Sequence, residues 1–311
     1  DLRIIGLNVT MDKRDGNLLG LRKHLKYLKR LIIRGNPRKH WEAVDYSFLS
    51  ECKNLEHCDI NVEGEVLPYL VNNHNMTSLA IMGSEEKEIK PIFKSLKYLK
   101  VYQGNNTVLN LRECPSLTKL NTGQSIFTSI KISSNNQLTK LTMSISSEMD
   151  LSFLLKCKKL YKFSIHSNTN ILDLNILDGM ESLRILSIDG IYNLRGDFKS
   201  LESLEYLKLV YPKTTIVEDN YRVLPELPTG LKYFYLSAPR FYDDEELNLE
   251  SLSSCINLET LYINGLLNDI DMKDIKRCKL LKHLCINIRN LHNIEELVNL
   301  RSLTTLSLNI W

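Results

Sequence analysis

The sequence predicts an α/β solenoid built around one long parallel sheet, and three observations support this fold class. A hexad of the form apolar-x-x-apolar-x-apolar recurs fourteen times, first at Leu2-Ile5-Leu7 and last at Leu303-Leu306-Leu308. Successive copies begin 20 to 27 residues apart, and leucine fills 55 of the 311 positions. Of the 42 key hexad positions 41 are apolar, Thr122 being the exception, whereas the 43% apolar composition would give about 18 by chance.

Each hexad has the residue pattern of one short strand. Its fourth and sixth residues are apolar and its third, fifth and seventh are mostly polar, which is typical of a strand with one buried face. Strands that recur in one direction must be parallel, with a return segment between them. We expect helical returns of about two turns in the longest repeats, at residues 40–49 and 243–252. Short extended returns are expected in the 20- to 23-residue repeats, at residues 108–111 and 130–132.

The hexad and its period resemble the leucine-rich repeat family over essentially the whole chain. The resemblance implies a curved horseshoe with a parallel sheet on its concave side and a mixture of short strands and helices on its convex side. We therefore expect residues 1–311 to form a single domain of about fourteen repeats, as part of a longer chain. The family's turn asparagine is matched only by Asn36 and Asn168. The residues expected to replace it elsewhere, with a shorter reach, are Thr10, Ser84, Ser125 and Ser146.

Five of the seven cysteines share one position, three residues before the first leucine of a hexad. They are Cys52, Cys114, Cys157, Cys255 and Cys278. Other repeats have Leu, Phe or Met at this position, so we predict free, buried thiols that act as small hydrophobic side chains. Reduced cysteines favour an intracellular protein, cytoplasmic or nuclear. Cys285 alone is expected on an outward hexad position.

The sequence lacks the motifs of the common enzyme and cofactor sites. Its thirteen glycines form no G-x-G, and there is no G-K-S/T, H-E-x-x-H or G-x-S-x-G. The outward-facing histidines, His57, His166 and His283, lie in widely separated repeats, which argues against a shared metal. We therefore predict a protein that is not an enzyme and binds no cofactor or metal. No apolar stretch approaches the ~18 residues that span a bilayer.

The candidate site is the outward face, which we define as the third, fifth and seventh residues of the hexads. It has seven basic residues and two acidic ones, Asp59 and Asp189, so its net charge is +5, against +3 for the whole chain. Six of the fourteen tyrosines also lie there, and tyrosine and arginine are enriched at protein interfaces. The candidate partner-binding residues are Arg30, Arg34, Tyr98, Lys100, Tyr102, Lys119, Lys140, Lys162, His166, Tyr206, Lys208, Tyr233, Tyr235 and Tyr262.

A row of lysines on the outward face predicts the chemistry of the ligand. Lys119, Lys140 and Lys162 occupy the third position of three consecutive repeats, so neighbouring charges are about 5 Å apart, the spacing of strands in a sheet. If these lysines were simply polar residues on a solvated sheet, they would need no ligand. Like charges at this distance, however, repel each other. The row therefore favours an acidic or phosphorylated protein segment as the partner. The terminal strand edges are expected to dock on further sequence or on another subunit.

Three functions remain open at this stage. The first is a non-catalytic protein interaction module; the cysteine position resembles the leucine-rich repeats of F-box proteins, which implies the substrate receptor of a ubiquitin ligase. The second is an extracellular receptor or adhesin ectodomain, on the glycosylation sequons at Asn8, Asn75 and Asn105. The third is single-stranded nucleic-acid binding on the lysines and tyrosines, which the near-neutral total charge makes unlikely.

Overall fold

The computed structural model describes residues 5–11, 25–35, 44–62, 64–82, 87–102, 104–167, 171–190, 193–212, 224–238, 249–265, 269–288 and 290–310. The chain divides into two compact units, Asp1–Cys157 and Lys158–Trp311. That residues 1–311 form a single domain stays a prediction. Asn36, Ser84, Asn168 and the helix starts predicted at 40–43 and 243–248 lie outside the described residues.

Parallel strands form the sheet of the first unit. They are β1 (Gly6–Met11), β2 (Arg30–Gly35), β3 (His57–Ile60), β4 (Ser78–Met82), β6 (Tyr98–Tyr102), β8 (Lys119–Lys131) and β9 (Lys140–Ile145), in that order across the sheet. Two further strands, β5 (Glu88–Ile89) and β7 (Asn105–Asn110), lie in return segments, and β7 pairs with the second half of β8. Each hexad of this unit thus supplies one strand of the sheet.

The second unit repeats the same arrangement. Its main strands are β10 (Lys162–Ser167), β12 (Ile185–Asp189), β14 (Tyr206–Val210), β15 (Tyr233–Ala238), β16 (Thr260–Gly265), β18 (His283–Ile288) and β20 (Thr305–Ile310). Two small sheets, β11 (Ile171–Asp173) with β13 (Asn193–Arg195) and β17 (Asp269–Asp271) with β19 (Asn290–His292), lie in the returns. Fourteen hexads therefore correspond to fourteen main strands, which confirms the predicted parallel sheet.

The strand register corrects one hexad. Leu7 lies opposite Leu31 and Val9 opposite Ile33, so the first repeat begins two residues later than the predicted Leu2-Ile5-Leu7. Ile5 is 60% exposed, as expected for a residue outside the core. The error arose because Leu2, Ile5 and Leu7 also satisfy the apolar pattern, and a shift of two residues keeps the same face of a strand.

The return segments differ from the prediction in one respect. The extended returns are confirmed by β7 and by the end of β8. The long repeats have only short 3₁₀ helices, Ser47–Glu51 and Glu250–Ser254, in the described part of their returns. Similar 3₁₀ helices also occur in shorter repeats, at Ser152–Lys156 and Ile294–Asn299. A 3₁₀ helix needs only three residues per turn, so a helical turn fits even a short return segment. The length of a repeat therefore does not determine whether its return segment is helical or extended.

The inward hexad residues and the phased cysteines form the core. Leu186 and Leu207, for example, are fully buried, and the five phased cysteines are at most 2% exposed. All seven cysteines are free thiols, as the sequence predicted. Burial raises the pKa of Cys52 and of Cys157 to about 12, because a thiolate is poorly solvated inside the core. Within the last strand Leu306 is 46% exposed; docking of this edge stays a prediction.

Buried polar side chains link successive coils where the family's asparagine is missing. The Ser125 hydroxyl accepts a hydrogen bond from the Gly104 amide at 2.9 Å and donates to the Val101 carbonyl at 3.1 Å, so Ser125 takes the predicted role. Asn73, which the repeat pattern did not identify, accepts from the Leu55 amide at 2.9 Å. These bonds satisfy backbone groups that would otherwise be costly to bury.

Ion pairs line one edge of the outward face in the second unit. In the second unit Glu205 lies 4.0 Å from Arg184 and 3.4 Å from Lys232, and Lys282 lies 2.7 Å from Glu259. These side chains all occupy the second hexad position, so oppositely charged residues of neighbouring coils meet in a row. No helix in the described part of the chain is long and apolar enough to cross a membrane.

Candidate binding surface

An ion pair joins β2 and β3 on the outward face of the first unit. Arg34 on β2 contacts both carboxylate oxygens of Asp59 on β3, with Nη2 to Oδ2 at 2.5 Å and Nη1 to Oδ1 at 2.8 Å. The same Nη1 donates to the Tyr102 hydroxyl at 3.0 Å, and that hydroxyl lies 3.3 Å from Asp59 Oδ1. Paired contacts of this kind are stronger than a single charged hydrogen bond. Arg34 and Tyr102 are therefore already engaged within the protein.

Small and large side chains alternate beside this ion pair. Ala80 on β4 lies between Asp59 and Lys100 in the register and is only 3% exposed. The Lys100 ammonium lies over the Tyr102 ring, 4.2 Å from its centroid, a cation–π geometry. Burial, followed by the nearby Tyr102 and Asp59, raises the pKa of Tyr98. This part of the outward face is consequently ordered by its own contacts.

The lysine row of the first unit is free of such contacts. Lys119 on β8 and Lys140 on β9 are register partners, and both side chains are exposed. Tyr98 precedes Lys119 in the same row, on β6. Across the described part of the chain neither lysine forms an ion pair. Two ammonium groups on adjacent strands, with no carboxylate to neutralise them, give this end of the unit a local positive charge.

Four tyrosines pack together on the outward face of the second unit. The Tyr206 and Tyr233 rings stack with their centroids 4.5 Å apart and their planes 7° apart. Tyr262 is tilted against Tyr233, at 5.8 Å, and against Tyr235, at 6.4 Å. Strands β14, β15 and β16 carry them in register, with Tyr206 opposite Tyr233 and Tyr235 opposite Tyr262. Burial, then the neighbouring tyrosines, raises the pKa of Tyr233. We call these four residues the tyrosine cluster.

The charges of the outward face are unequally divided between the units. The first unit has five basic residues and one carboxylate at outward positions, a formal charge of +4. The second has Lys162, Lys208 and Asp189, a formal charge of +1. Lys208 lies 5.5 Å from the centroid of the Tyr235 ring, and Asp189 lies 3.8 Å from Nδ1 of His166. The predicted basic and aromatic face is thus two chemically different surfaces.

The outward-facing histidines have polar neighbours. Across the residues that the structure describes, no three His, Cys, Asp or Glu side chains come close enough to hold an ion. His57 lies beside Arg30, and burial, followed by this arginine, lowers its pKa. His283 contacts the Thr305 hydroxyl at 3.1 Å. These contacts agree with histidines that belong to a polar surface.

The sequence placed the candidate residues on the outward face, and their role in binding stays a prediction; how they contact one another was not predicted. In the sequence Asp59 only lowers the net charge of the outward face, whereas in the structure it forms an ion pair with Arg34. A signal for this contact existed, since Asp59 and Arg34 occupy the fifth and seventh positions of neighbouring hexads. The tyrosines of the cluster were each identified, and their positions in consecutive repeats were sufficient to predict that they meet.

Comparison with solved structures identifies the fold. An internalin, InlF, from Listeria monocytogenes matches with a TM-score of 0.57 and 18% identity, over 99% of this chain and 82% of that one. A chain of the Toll–Spatzle complex from Drosophila gives 0.59 and 18%, over 93% of this chain and 40% of that one. A leucine-rich repeat protein from Leptospira interrogans gives 0.39 and 16%, over 96% and 94%. No family model and no curated protein sequence matches the chain.

The matches to InlF and to the Toll–Spatzle chain agree with the parallel sheet on one fold. The chain has the leucine-rich repeat fold, as the fourteen hexads predicted. At 18% identity the likeness extends to the fold and not to a partner. The chemistry of a partner has to be inferred from the outward face itself.

Proposed function

We propose that the protein is a non-catalytic interaction module that binds an acidic or phosphorylated protein segment on the outward face of its first unit. The observation that carries this proposal is the pair Lys119 and Lys140, exposed on adjacent strands without a carboxylate partner among the described residues. An acidic segment laid across β8 and β9 relieves the repulsion between the two ammonium groups. Complementary charge of this kind mainly speeds encounter and excludes wrong partners.

The contacts around the row define how far the binding surface extends. Tyr98 and Lys100 on β6 border it and supply an aromatic ring and a further cation. Arg34 contributes less to binding than its charge suggests, because Asp59 already occupies its guanidinium. Lys162, the third lysine of the predicted row, and His166 belong to the second unit. The strongest attraction is therefore expected at β8 and β9.

Within this function, the substrate receptor of an intracellular ubiquitin ligase is the narrower proposal. Support comes from the phased cysteines, which resemble those of F-box repeats and are all free and buried. Free thiols persist in a reducing compartment. A thiol titration of denatured protein from its native source is expected to give seven free thiols.

An extracellular receptor or adhesin ectodomain is the second candidate function. The observation in its favour is Asn75, which is exposed in a turn and begins the sequon Asn75-Met76-Thr77. The fold is also that of InlF and of a chain in the Toll–Spatzle complex. Disulfides in the native protein, or a glycan on Asn75, would establish this candidate and reject the intracellular one.

A binding assay with a defined acidic probe tests the proposed surface. The probes are a fluorescent dodecapeptide of glutamate and a phosphoserine-containing peptide of equal length, titrated at 50 and 500 mM salt. The variant Lys119→Glu/Lys140→Glu is expected to weaken binding at least ten-fold at 50 mM salt, with a smaller loss at 500 mM because salt screens exposed charges. Folding is expected to survive, since both side chains are exposed.

The matched control reverses two exposed lysines in return segments of the same unit. Lys87→Glu/Lys156→Glu changes the total charge equally and is expected to alter binding less than two-fold. Equal losses in both variants would show that the probe responds to total charge, and would reject the surface. Tighter binding of a mixed-sequence single-stranded oligonucleotide than of either peptide would favour nucleic-acid binding instead.

A further inference from the structure

The tyrosine cluster is a rigid surface that the acidic-partner proposal does not use. Its rings lie on three neighbouring strands and hold one another in place, through the stacked pair Tyr206 and Tyr233 and the tilted contacts of Tyr262. Tyr262 is 36% exposed and the other three are half-buried. Side chains already ordered in this way lose little conformational entropy when they bind. The cluster is therefore preorganised for contact.

The outward positions around the cluster have no net charge. At the outward positions of β12, β14, β15, β16 and β18, the charged residues are Asp189 and Lys208, which cancel. Both are engaged, Asp189 opposite His166 and Lys208 over the Tyr235 ring. The remaining positions hold mostly serine, threonine and asparagine, and Asn287 donates to Asn264 at 3.1 Å. Tyrosine, serine and asparagine dominate the binding loops of antibodies, where they bury area and form adaptable hydrogen bonds.

We propose that the tyrosine cluster binds an uncharged protein segment, separately from the acidic segment proposed for the first unit. This inference rests on the outward face being the binding face, but it does not depend on the acidic partner. The segment would place an aliphatic or aromatic side chain against the rings, and its peptide groups would hydrogen bond with the phenol hydroxyls. Charge complementarity selects this occupant, because a charged residue buried here would find no free counter-ion among the described residues.

Other partners fit the cluster less well. A single-stranded nucleic acid needs cations for its phosphates. Among the described outward positions of these strands Lys208 is the one lysine, and the neighbouring Lys232 and Lys282 are paired with Glu205 and Glu259. Tyr206 and Tyr233 also stack on each other at 4.5 Å, which leaves no space for a base between them. An acidic peptide would be repelled by Asp189 and would gain little attraction from a face of nearly zero net charge. The neutral segment is thus the partner that the chemistry of this surface favours.

Selection from an unbiased peptide library tests the proposal. A displayed library of random dodecapeptides is panned on the whole protein at 500 mM salt, after depletion on the Tyr233→Ala variant. Enriched peptides are expected to be poor in Asp, Glu, Lys and Arg and to contain an aliphatic or aromatic residue. Their affinity is expected to change less than two-fold between 50 and 500 mM salt. Tyr233→Ala and Tyr262→Ala should each weaken binding about ten-fold, as truncated aromatic anchors do.

Two variants separate this proposal from the acidic site and from misfolding. Lys119→Glu/Lys140→Glu is expected to leave the selected peptides bound, and Tyr233→Phe, which keeps the ring, should retain most of the affinity. Enrichment of acidic peptides, of nothing, or of peptides that bind Tyr233→Ala equally well would overturn the proposal. Preferential binding of an oligonucleotide at the cluster would also overturn it. Failure of the glutamate probe alone would reject the acidic site and leave the neutral one standing.

Discussion

The two units share one inward pattern and have different outward chemistry. Six hexads in each unit bury the same leucine-rich positions, whereas the inward residues of the terminal strands β1 and β20 are partly exposed. Outward, the first unit has five basic residues and an ion pair, Arg34 with Asp59, whereas the second has four packed tyrosines and nearly balanced charges. This difference shows that the repeat constrains only the residues that face the core. Outward positions can change from one unit to the next without disturbing the fold.

The largest expected effect comes from breaking the inward pattern that the units share. Leu186→Asp places a carboxylate at a fully buried position on β12 and is expected to cost more than about 4 kcal/mol, because no partner for the charge exists there. Thermal unfolding followed by circular dichroism measures the loss. The neighbouring outward change Ser187→Asp should leave the transition nearly unchanged, and an equal loss from Ser187→Asp would reject the division into inward and outward faces.

The second prediction uses a cysteine to block one unit selectively. Cys285 faces outward beside Tyr262, its register partner, whereas the other six cysteines are buried. Burial raises the pKa of Cys52 to about 12, so at pH 7.5 it is essentially all thiol, the unreactive form. Maleimide is expected to label Cys285 at least 100-fold faster than any buried cysteine, as peptide mapping by mass spectrometry would show.

Labelling at Cys285 also separates the two surfaces. A bulky maleimide adduct should block peptides selected on the tyrosine cluster and should spare the glutamate probe. Cys285→Ser is the control, since it removes the reactive thiol and should leave both kinds of binding unchanged in the presence of maleimide. Faster modification of Cys114 or Cys157 would contradict the buried position of the phased cysteines.

The smallest expected effect concerns the ion pair of the first unit. Asp59→Asn removes the carboxylate that holds Arg34 and raises the net charge of the outward face by one. Binding of the glutamate probe is expected to tighten about five-fold, since the guanidinium becomes available and repulsion from Asp59 is lost. Asp189→Asn in the second unit makes the same charge change and should alter binding less than two-fold. Equal tightening by both variants would mean that total charge decides binding.

The fold was largely predictable from the sequence because hexads that recur every 20 to 27 residues are compatible with one arrangement, a series of parallel strands. The residue equivalent to Leu99 must face inward in every coil, because otherwise the core is lost. The fourteen copies of the hexad therefore determine the strand order, the parallel direction and the burial of the phased cysteines. The first repeat was misplaced because a shift by two residues at Leu7 preserves the buried face. The 3₁₀ returns were missed because a single helical turn such as Ser152–Lys156 leaves no periodic pattern to detect.

The hexad positions in the sequence are enough to assign side chains to the outward face, but which of these side chains have no partner within the protein depends on how the sheet packs. Position within a hexad gives the face, since side chains alternate along a strand. Arg34 and Tyr102 are 68 residues apart, yet the Arg34 guanidinium donates directly to the Tyr102 hydroxyl and both side chains contact Asp59. These contacts depend on the reach and rotamers of long side chains across several strands. Tyr206 and Tyr233, register partners on adjacent strands, form one ring stack, whereas Lys119 and Lys140 have no carboxylate within contact distance in the described structure. Availability is therefore a property of the packed sheet.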